Sequence, residues 1–389
     1  MTIYNKSVSL YIHIPFCTSF CDYCDFFSIT KSSFNDEYID AFLRALINDI
    51  KKQIDIFSIN EIPTVYIGGG TPSVLGEKIK FIFNELKKIP FFSPVEFTVE
   101  ANPESLNEEF LDACRDGGIN RLSLGIQTFH EISRSSVNRK GDENLLKKSL
   151  ALASKYFPDV LSIDLITGLP YHNEKIILDD INKILDFSPS HISLYNLSVE
   201  SNTILEEKIK NKNISLPNAD NSDYLWLKGR DALLKAGFEH YEVSNFAKNR
   251  SNNIFKRCLH NIRYWQMKSW IGAGPSASAT LIDEDTGTAQ RFTFTEKMDQ
   301  SIKNDEQFAF ENNIEKIDRI TLLKESILMG FRYIDGPDEK LFKKRFNYSI
   351  EECIPQTLIR WKDKDKMLFL NQFLIEAFEE IDKKHLDLF

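Results

Sequence analysis

At 389 residues with 42% apolar content, the chain is long enough for a large folded domain with a smaller one attached. Its 48 Lys and Arg against 57 Asp and Glu leave a net charge of −9, which offers no electrostatic case for nucleic acid as a partner. No apolar run reaches the roughly 18 residues of a membrane span, and residues 1–10 lack the basic-then-apolar order of a signal peptide, so the expectation is a cytoplasmic protein that is not integral to a membrane.

Apolar, β-branched runs alternate with amphipathic stretches through the first two-thirds of the chain, the pattern of βα units around a parallel sheet. Strands are predicted at 8–14, 64–67, 95–100, 121–126, 160–166 and 192–197. Helices are predicted at 35–54, 77–88, 105–115, 144–155, 175–186 and 222–235. The third helix opens on a capping-box sequence, Ser105-Leu106-Asn107-Glu108, and stops at Gly117-Gly118. Six such units predict an α/β fold with a partial (β/α)6 TIM-like barrel over residues 1–240, and barrels of this kind carry their chemistry at the carboxyl ends of the strands.

Each predicted strand meets polar or glycine-rich sequence at that end. The first runs into Cys17-Thr18-Ser19-Phe20-Cys21-Asp22-Tyr23-Cys24, the second into Gly68-Gly69-Gly70-Thr71-Pro72-Ser73, and the third into Glu100-Ala101-Asn102-Pro103. The fourth ends at Gly125-Ile126-Gln127, the fifth holds Asp164 before Thr167-Gly168-Leu169-Pro170, and the sixth ends near Tyr195-Asn196-Leu197-Ser198.

Three cysteines at C-x3-C-x2-C spacing point to a site that gathers thiolates, the usual protein ligands of iron–sulfur clusters. Three thiolates on a [4Fe–4S] cubane leave one iron open to another ligand. A structural zinc wants four N or S ligands, and the next cysteines, Cys114 and Cys258, are distant in sequence; a disulfide framework suits small secreted domains. Zinc and disulfides remain the alternatives to a cluster at Cys17, Cys21 and Cys24. Cys114 and Cys353 read as ordinary buried thiols.

The cysteine spacing after a strand resembles the signature of the radical S-adenosylmethionine (SAM) superfamily. Tyr11-Ile12-His13-Ile14-Pro15-Phe16-Cys17 and Cys24-Asp25-Phe26 resemble, within it, the branch that holds oxygen-independent coproporphyrinogen III oxidase (HemN) and the heme chaperones (HemW). The resemblance implies a [4Fe–4S] cluster on the three cysteines and SAM on its open iron. It also implies SAM contacts at Tyr11, Tyr23, Gly69, Gly70, Thr71, Glu100, Gln127, Arg139 and Asp164. The residue chemistry agrees: consecutive glycines let backbone reach a ligand, and carboxylates in apolar strands need hydroxyls, amines or a cation.

Beyond Ser198 the pattern changes: 211–223 reads as a polar linking loop, 224–236 as helix and 240–247 as one further strand. Residues 241–310 are expected to connect the barrel to a small, mainly helical C-terminal domain at 311–389. That connection contains Cys258-Leu259-His260-Asn261-Ile262-Arg263-Tyr264-Trp265. His-Asn-x-x-Tyr-Trp resembles a heme-associated motif of the HemW branch, which implies heme contacts at His260, Tyr264 and Trp265, with Cys258 as another ligand. A neutral imidazole is a natural axial ligand for heme iron.

The function expected is that of a heme-binding chaperone with a [4Fe–4S] cluster and SAM, passing heme to an acceptor protein, with membrane respiratory proteins among the candidates. Oxygen-independent coproporphyrinogen III oxidase is the alternative, with another radical SAM enzyme behind it. Phe26 stands where the oxidases carry a fourth cysteine, and their N-terminal arm has no counterpart before the first strand. The chain also departs from the chaperones, with Gly141 and Ser278 where two histidines are usual. Whether the protein is an enzyme is left open at this point.

Overall fold

The structure is a computed structural model that describes residues 7–248, 256–296, 298, 302 and 310–384; residues 1–6 and parts of 241–310 and 311–389 lie outside the described residues. The six expected strands form in order: β1 (Ser9–Ile14), β2 (Thr64–Gly69), β3 (Glu96–Ala101), β4 (Arg121–Gln127), β5 (Leu161–Thr167) and β6 (His191–Asn196). All pair in parallel with their sequence neighbours. The helices between them are α1 (Asp36–Ile56), α2 (Ile79–Leu86), α3 (Glu108–Gly117), α4 (Glu131–Ser136), α5 (Glu143–Tyr156) and α6 (Glu174–Leu185). After β6 come α7 (Ile204–Lys210) and α8 (Ala219–Lys235).

Local chemistry moves several boundaries. The expected capping box at Ser105 does not form: Asn107 accepts the Phe110 N–H at 2.8 Å, while the Ser105 hydroxyl meets Ser73 Oγ at 2.6 Å. The second helix starts later than predicted, because Pro72–Lys78 is a 3-10 segment broken by Gly76 at φ 53°. The single strand expected over 240–247 is a hairpin, β7 (Phe238–Glu242) and β8 (Asn245–Lys248). Its turn has no glycine, and Glu242 Oε2 holds it by accepting from Ser244 N–H at 3.0 Å and Asn245 Nδ2 at 2.6 Å.

The sheet is wider than the six-strand expectation. After α9 (Leu259–Trp265), β9 (Trp270–Ala273) pairs in parallel with β1, on the side away from β2. Three antiparallel strands continue that edge: β10 (Ser278–Asp283), β11 (Thr288–Phe294) and β12 (Phe310–Ile317). Among the described residues the sheet is open, with twelve strands and with β12 and β7 at its two ends. Helices α10 (Arg319–Gly330), α11 (Glu339–Phe346), α12 (Ile350–Cys353), α13 (Pro355–Arg360) and α14 (Leu370–Lys384) follow among the described residues. They share a second apolar cluster built on residues such as Leu323, Phe346, Trp361 and Phe373.

Strand residues alternate between two faces. Leu10, Ile12, Val65, Ile67, Phe97, Val99, Leu122, Leu124, Ile163 and Leu194 belong to the main apolar cluster with the helices. The alternate positions are polar along the whole arc: Tyr11 and His13, Thr64 and Tyr66, Glu96 and Glu100, Arg121 and Ser123, Ser162 and Asp164, His191 and Ser193. A parallel sheet covered on both faces normally reads as continuous apolar sequence, so this polar face marks an interior built for something other than packing.

Candidate functional site

Three polypeptide segments pin the cysteine loop. Asp22, buried between Cys21 and Cys24, receives Lys208 Nζ of α7 at 2.5 Å, and its N–H donates to Val137 O at 3.0 Å. Asn138 Nδ2 donates to Phe20 O at 2.7 Å, and Phe16–Cys17 bridges in parallel to Ile29–Thr30. Held this way, Cys17, Cys21 and Cys24 all line one cavity of about 380 Å³ at the carboxyl ends of the parallel strands. Among the described residues no three His, Cys, Asp or Glu side chains converge as they would around a single metal ion. Three free thiols thus line one cavity, the kind of donor set that iron–sulfur clusters take.

The glycine run forms the floor. Gly70 N–H donates to Ile14 O and Thr71 N–H to Phe16 O, each at 2.8 Å, which lays the loop across the end of β1. Gly69 sits at φ 105°, and a Cβ there would lie 2.6 Å from the His13 ring. That ring cannot retreat easily, because Nε2 bonds Phe27 O at 2.8 Å and Nδ1 bonds Tyr11 OH at 3.2 Å. Thr71 Oγ1 lies 3.6 Å from Cys17 Sγ, so floor and cysteine loop are joined.

Two carboxyl groups stand on the far wall. Tyr66 OH donates to Glu100 Oε1 at 2.7 Å, and Ser123 Oγ donates to Asp164 Oδ2 at 3.1 Å. Burial, opposed by the Tyr66 hydrogen bond, pushes the Glu100 carboxyl up to about 7, and the nearby Asp164 adds to the rise. Burial raises Asp164 too, against hydrogen bonds from Ser193 and Ser123. Two carboxyls short of solvent and facing one cavity suit a ligand that brings hydroxyls or positive charge.

Arg139 closes the ring. Its Nη1 donates to Cys21 Sγ at 3.4 Å, and its Nη2 to Asn102 Oδ1 at 2.7 Å and Gly125 O at 2.6 Å. Burial works against its charge, but Tyr23 and Cys21 together with Glu104 more than offset it, and its pKa stands above the ordinary value. Its Nε is buried with no partner among the described residues, a donor free for an anionic ligand group. Gln127 lines the same cavity at φ 68°, just beyond a slip in the β4–β5 register. Gly125 leaves room there, since a Cβ would come within 2.8 Å of Asn102 Oδ1 and 2.9 Å of Gln127 Nε2.

Beside the three cysteines, eight of the nine residues expected to contact SAM line the cavity: Tyr23, Gly69, Gly70, Thr71, Glu100, Gln127, Arg139 and Asp164. Tyr11 does not: it lies one layer deeper, with its ring 6.4 Å from that of Tyr66. Asn102, Ser123, Phe20 and Phe26 line the cavity without having been singled out as ligands. Ser123 carried a signal, a polar residue at the alternate position of an apolar strand. Asn102 carried a weaker one, in the polar sequence ending at Pro103. Phe26 lines the cavity while 63% exposed.

The motif around His260 lies elsewhere. Glu96, Thr64 and Ser9, which start β3, β2 and β1, surround it, so it sits beneath the amino-terminal ends of the strands. Glu96 accepts from the N–H groups of Leu259 at 2.8 Å and His260 at 2.9 Å, and from Cys258 Sγ at 3.6 Å. His260 is 1% exposed, with Nδ1 3.0 Å from Thr64 Oγ1 and Nε2 2.9 Å from Tyr264 OH. Both ring nitrogens are thus taken, and burial next to Arg263 and Arg121 pushes the imidazole down to about 3. Cys258 is fully buried, and Trp265 stacks on Tyr333, ring centroids 5.9 Å apart. In this structure His260 and Cys258, which the resemblance puts at heme, both make hydrogen bonds that fasten α9 to the base of the sheet.

Residues 11–184 match the Radical SAM superfamily. The chain is 30% identical to the heme chaperone HemW of Buchnera aphidicola subsp. Schizaphis graminum, covering 94% of this chain and 97% of that protein. It is 31% identical to the heme chaperone HemW of Haemophilus influenzae, covering 95% and 97%. Among solved structures, the coproporphyrinogen III oxidase HemN of Escherichia coli has a similar fold, with a TM-score of 0.75 at 20% identity, covering 95% of this chain and 90% of that one.

Proposed function

This chain belongs to the heme chaperone HemW family of the radical SAM superfamily, and from that premise we propose that it binds heme and hands it to an acceptor protein, with a [4Fe–4S] cluster and SAM as cofactors. The observation that carries the cofactor part is the single cavity lined by three thiols together with the glycine floor, two raised carboxyls and Arg139. Cys17, Cys21 and Cys24 would hold the cluster. Gly69, Gly70 and Thr71 would lie along SAM, with Glu100 and Asp164 accepting from its hydroxyls or amine and with Gln127 and Arg139 donating to it. A cluster with one iron free of protein ligand, when bound with SAM, supplies reductive cleavage of SAM to a 5′-deoxyadenosyl radical. The chain's own residues orient the ligand, hold two carboxyls above their ordinary range by burial and donate to the Cys21 sulfur.

The heme part rests on family membership. The acceptor is a protein, with a membrane respiratory protein among the candidates, and the working compartment is the cytoplasm; no helix among the described residues is long and apolar enough to cross a membrane. Coproporphyrinogen III oxidase is the competing reading, and Phe26 at the cavity mouth supports the chaperone against it. The test is anaerobic reconstitution with iron and sulfide, followed by heme titration and, separately, incubation with SAM, reductant and coproporphyrinogen III. Stoichiometric heme binding without conversion is expected, and repeated turnover to protoporphyrinogen IX would overturn the chaperone reading.

A further inference from the structure

We infer that Arg134 is a positioning residue that locks Gln127 and Arg139 into the cavity as one unit; the inference rests on the SAM reading of that cavity. Arg134 belongs to α4 and does not line the cavity itself. It is 1% exposed, one of the largest fully buried side chains in the molecule. Its guanidinium serves backbone carbonyls only. Nη1 donates to Ile126 O at 2.7 Å and Thr128 O at 2.8 Å, the residues on either side of Gln127. Nε donates to Gly141 O at 2.9 Å and Nη2 to Lys140 O, the two residues that follow Arg139. The carbonyl of Arg134 accepts the Arg139 N–H at 2.8 Å.

Both segments need such a clamp. Gln127 is a non-glycine residue at φ 68°, where the β4–β5 register slips, and Gly141 is at φ 94° in a loop between α4 and α5. The Ile126 carbonyl also accepts the Thr128 N–H at 2.9 Å across the turn that carries Gln127, and a planar guanidinium with five fixed donors can reach two separate segments at once. Asp180 of α6 steadies the same turn from the other side, accepting from Thr128 Oγ1 at 2.6 Å and Phe129 N–H at 2.8 Å. The position of Gln127 and that of Arg139 therefore depend on one buried side chain more than on each other's local sequence.

The test uses the full chain with its cluster reconstituted anaerobically. SAM binding is measured by equilibrium dialysis for wild type, Arg134→Gln, Gln127→Ala and the double variant, with iron and sulfide content alongside. Arg134→Gln is expected to weaken SAM binding at least about tenfold with iron per chain unchanged, and Gln127→Ala is expected to cost much less in that background than in wild type. A purely structural arginine would give losses that multiply, and that result, or wild-type affinity in Arg134→Gln, overturns the proposal. Arg134→Lys, which keeps the charge and loses the fork, covers the case in which the glutamine variant does not fold; it is expected to bind SAM with intermediate affinity. Hydrogen exchange gives a readout that needs no SAM: amides in 126–129 and 139–141 should quicken together in Arg134→Lys, and unchanged exchange there overturns the clamp. Failure of the wild type to bind SAM would instead overturn the reading of the cavity, leaving the clamp to be judged by exchange.

Discussion

Arg139 Nη1 donates to Cys21 Sγ at 3.4 Å, joining two residues 118 positions apart in the chain. The contact ties the residue expected to reach SAM to one of the three thiols. Replacing Arg139 with Gln should leave the cysteines able to take up iron, because Asp22 and Asn138 anchor their loop independently. SAM binding should weaken by about 10- to 100-fold, as hydrogen bonds of charged groups contribute about 1.5–3 kcal/mol. Iron analysis and equilibrium dialysis check both halves; full iron with undiminished SAM affinity would remove Arg139 from the site.

Glu100 makes a pH prediction. Its carboxyl is raised to about 7 from an ordinary 4.5, chiefly by burial, so the folded protein holds the proton more tightly than the unfolded chain does. That contribution to stability is fully present below the unfolded value and is lost as pH rises through about 7. Glu100→Gln resembles the protonated acid and should gain thermal stability relative to wild type between about pH 5 and pH 8. Thermal midpoints across that range check it, and two parallel curves would show that Glu100 titrates normally.

His260→Ala should destabilise the fold while leaving heme binding in place. Removing the ring strands Tyr264 OH beneath the sheet and leaves Thr64 Oγ1 with only its 2.9 Å bond to Ser9 Oγ, and a buried polar group left unpaired costs about 1–3 kcal/mol. Denaturant unfolding measures the first effect and the Soret band the second. A lost Soret band with unchanged stability would return the imidazole to the iron.

Gly69→Ala tests the cavity floor. At φ 105° an alanine is strained, and its Cβ would sit 2.6 Å from an imidazole fixed by Phe27 O. Overpacking of this kind costs about 1–3 kcal/mol, and the floor must shift to relieve it. A lower thermal midpoint together with weaker SAM binding is expected; a variant unchanged in both would mean that the loop has slack.

Much of this architecture is set by local sequence. The parallel strands follow from β-branched runs, whose bounds tertiary contacts move by only one or two residues, and the cysteine spacing alone confines three thiols to one loop. Helix starts were less readable where several polar residues compete for one cap: Asn107, not Ser105, reaches the free N–H of α3 because the Ser105 hydroxyl is drawn to Ser73. The parallel strand β9 was missed because a run as short as Trp270–Ala273, ending in glycine and proline, has the look of a loop until β1 offers it a partner.

What the sequence determined by itself is the order of βα units, the thiol motif and the polar residues waiting at the strand ends, since each depends on neighbours a few positions away. Only the tertiary structure decided which of those residues meet. Arg139 reaches Cys21, and Arg134 grips the carbonyls on both sides of Gln127, because the sheet brings together segments whose own periodicity says nothing of each other. The same is true of His260: as a sequence motif it resembles a ligand, but Glu96, 164 residues away, draws the N-terminus of α9 under the sheet and closes both imidazole nitrogens in hydrogen bonds. A side chain's availability is set by what folds against it, and no spacing along the chain records that.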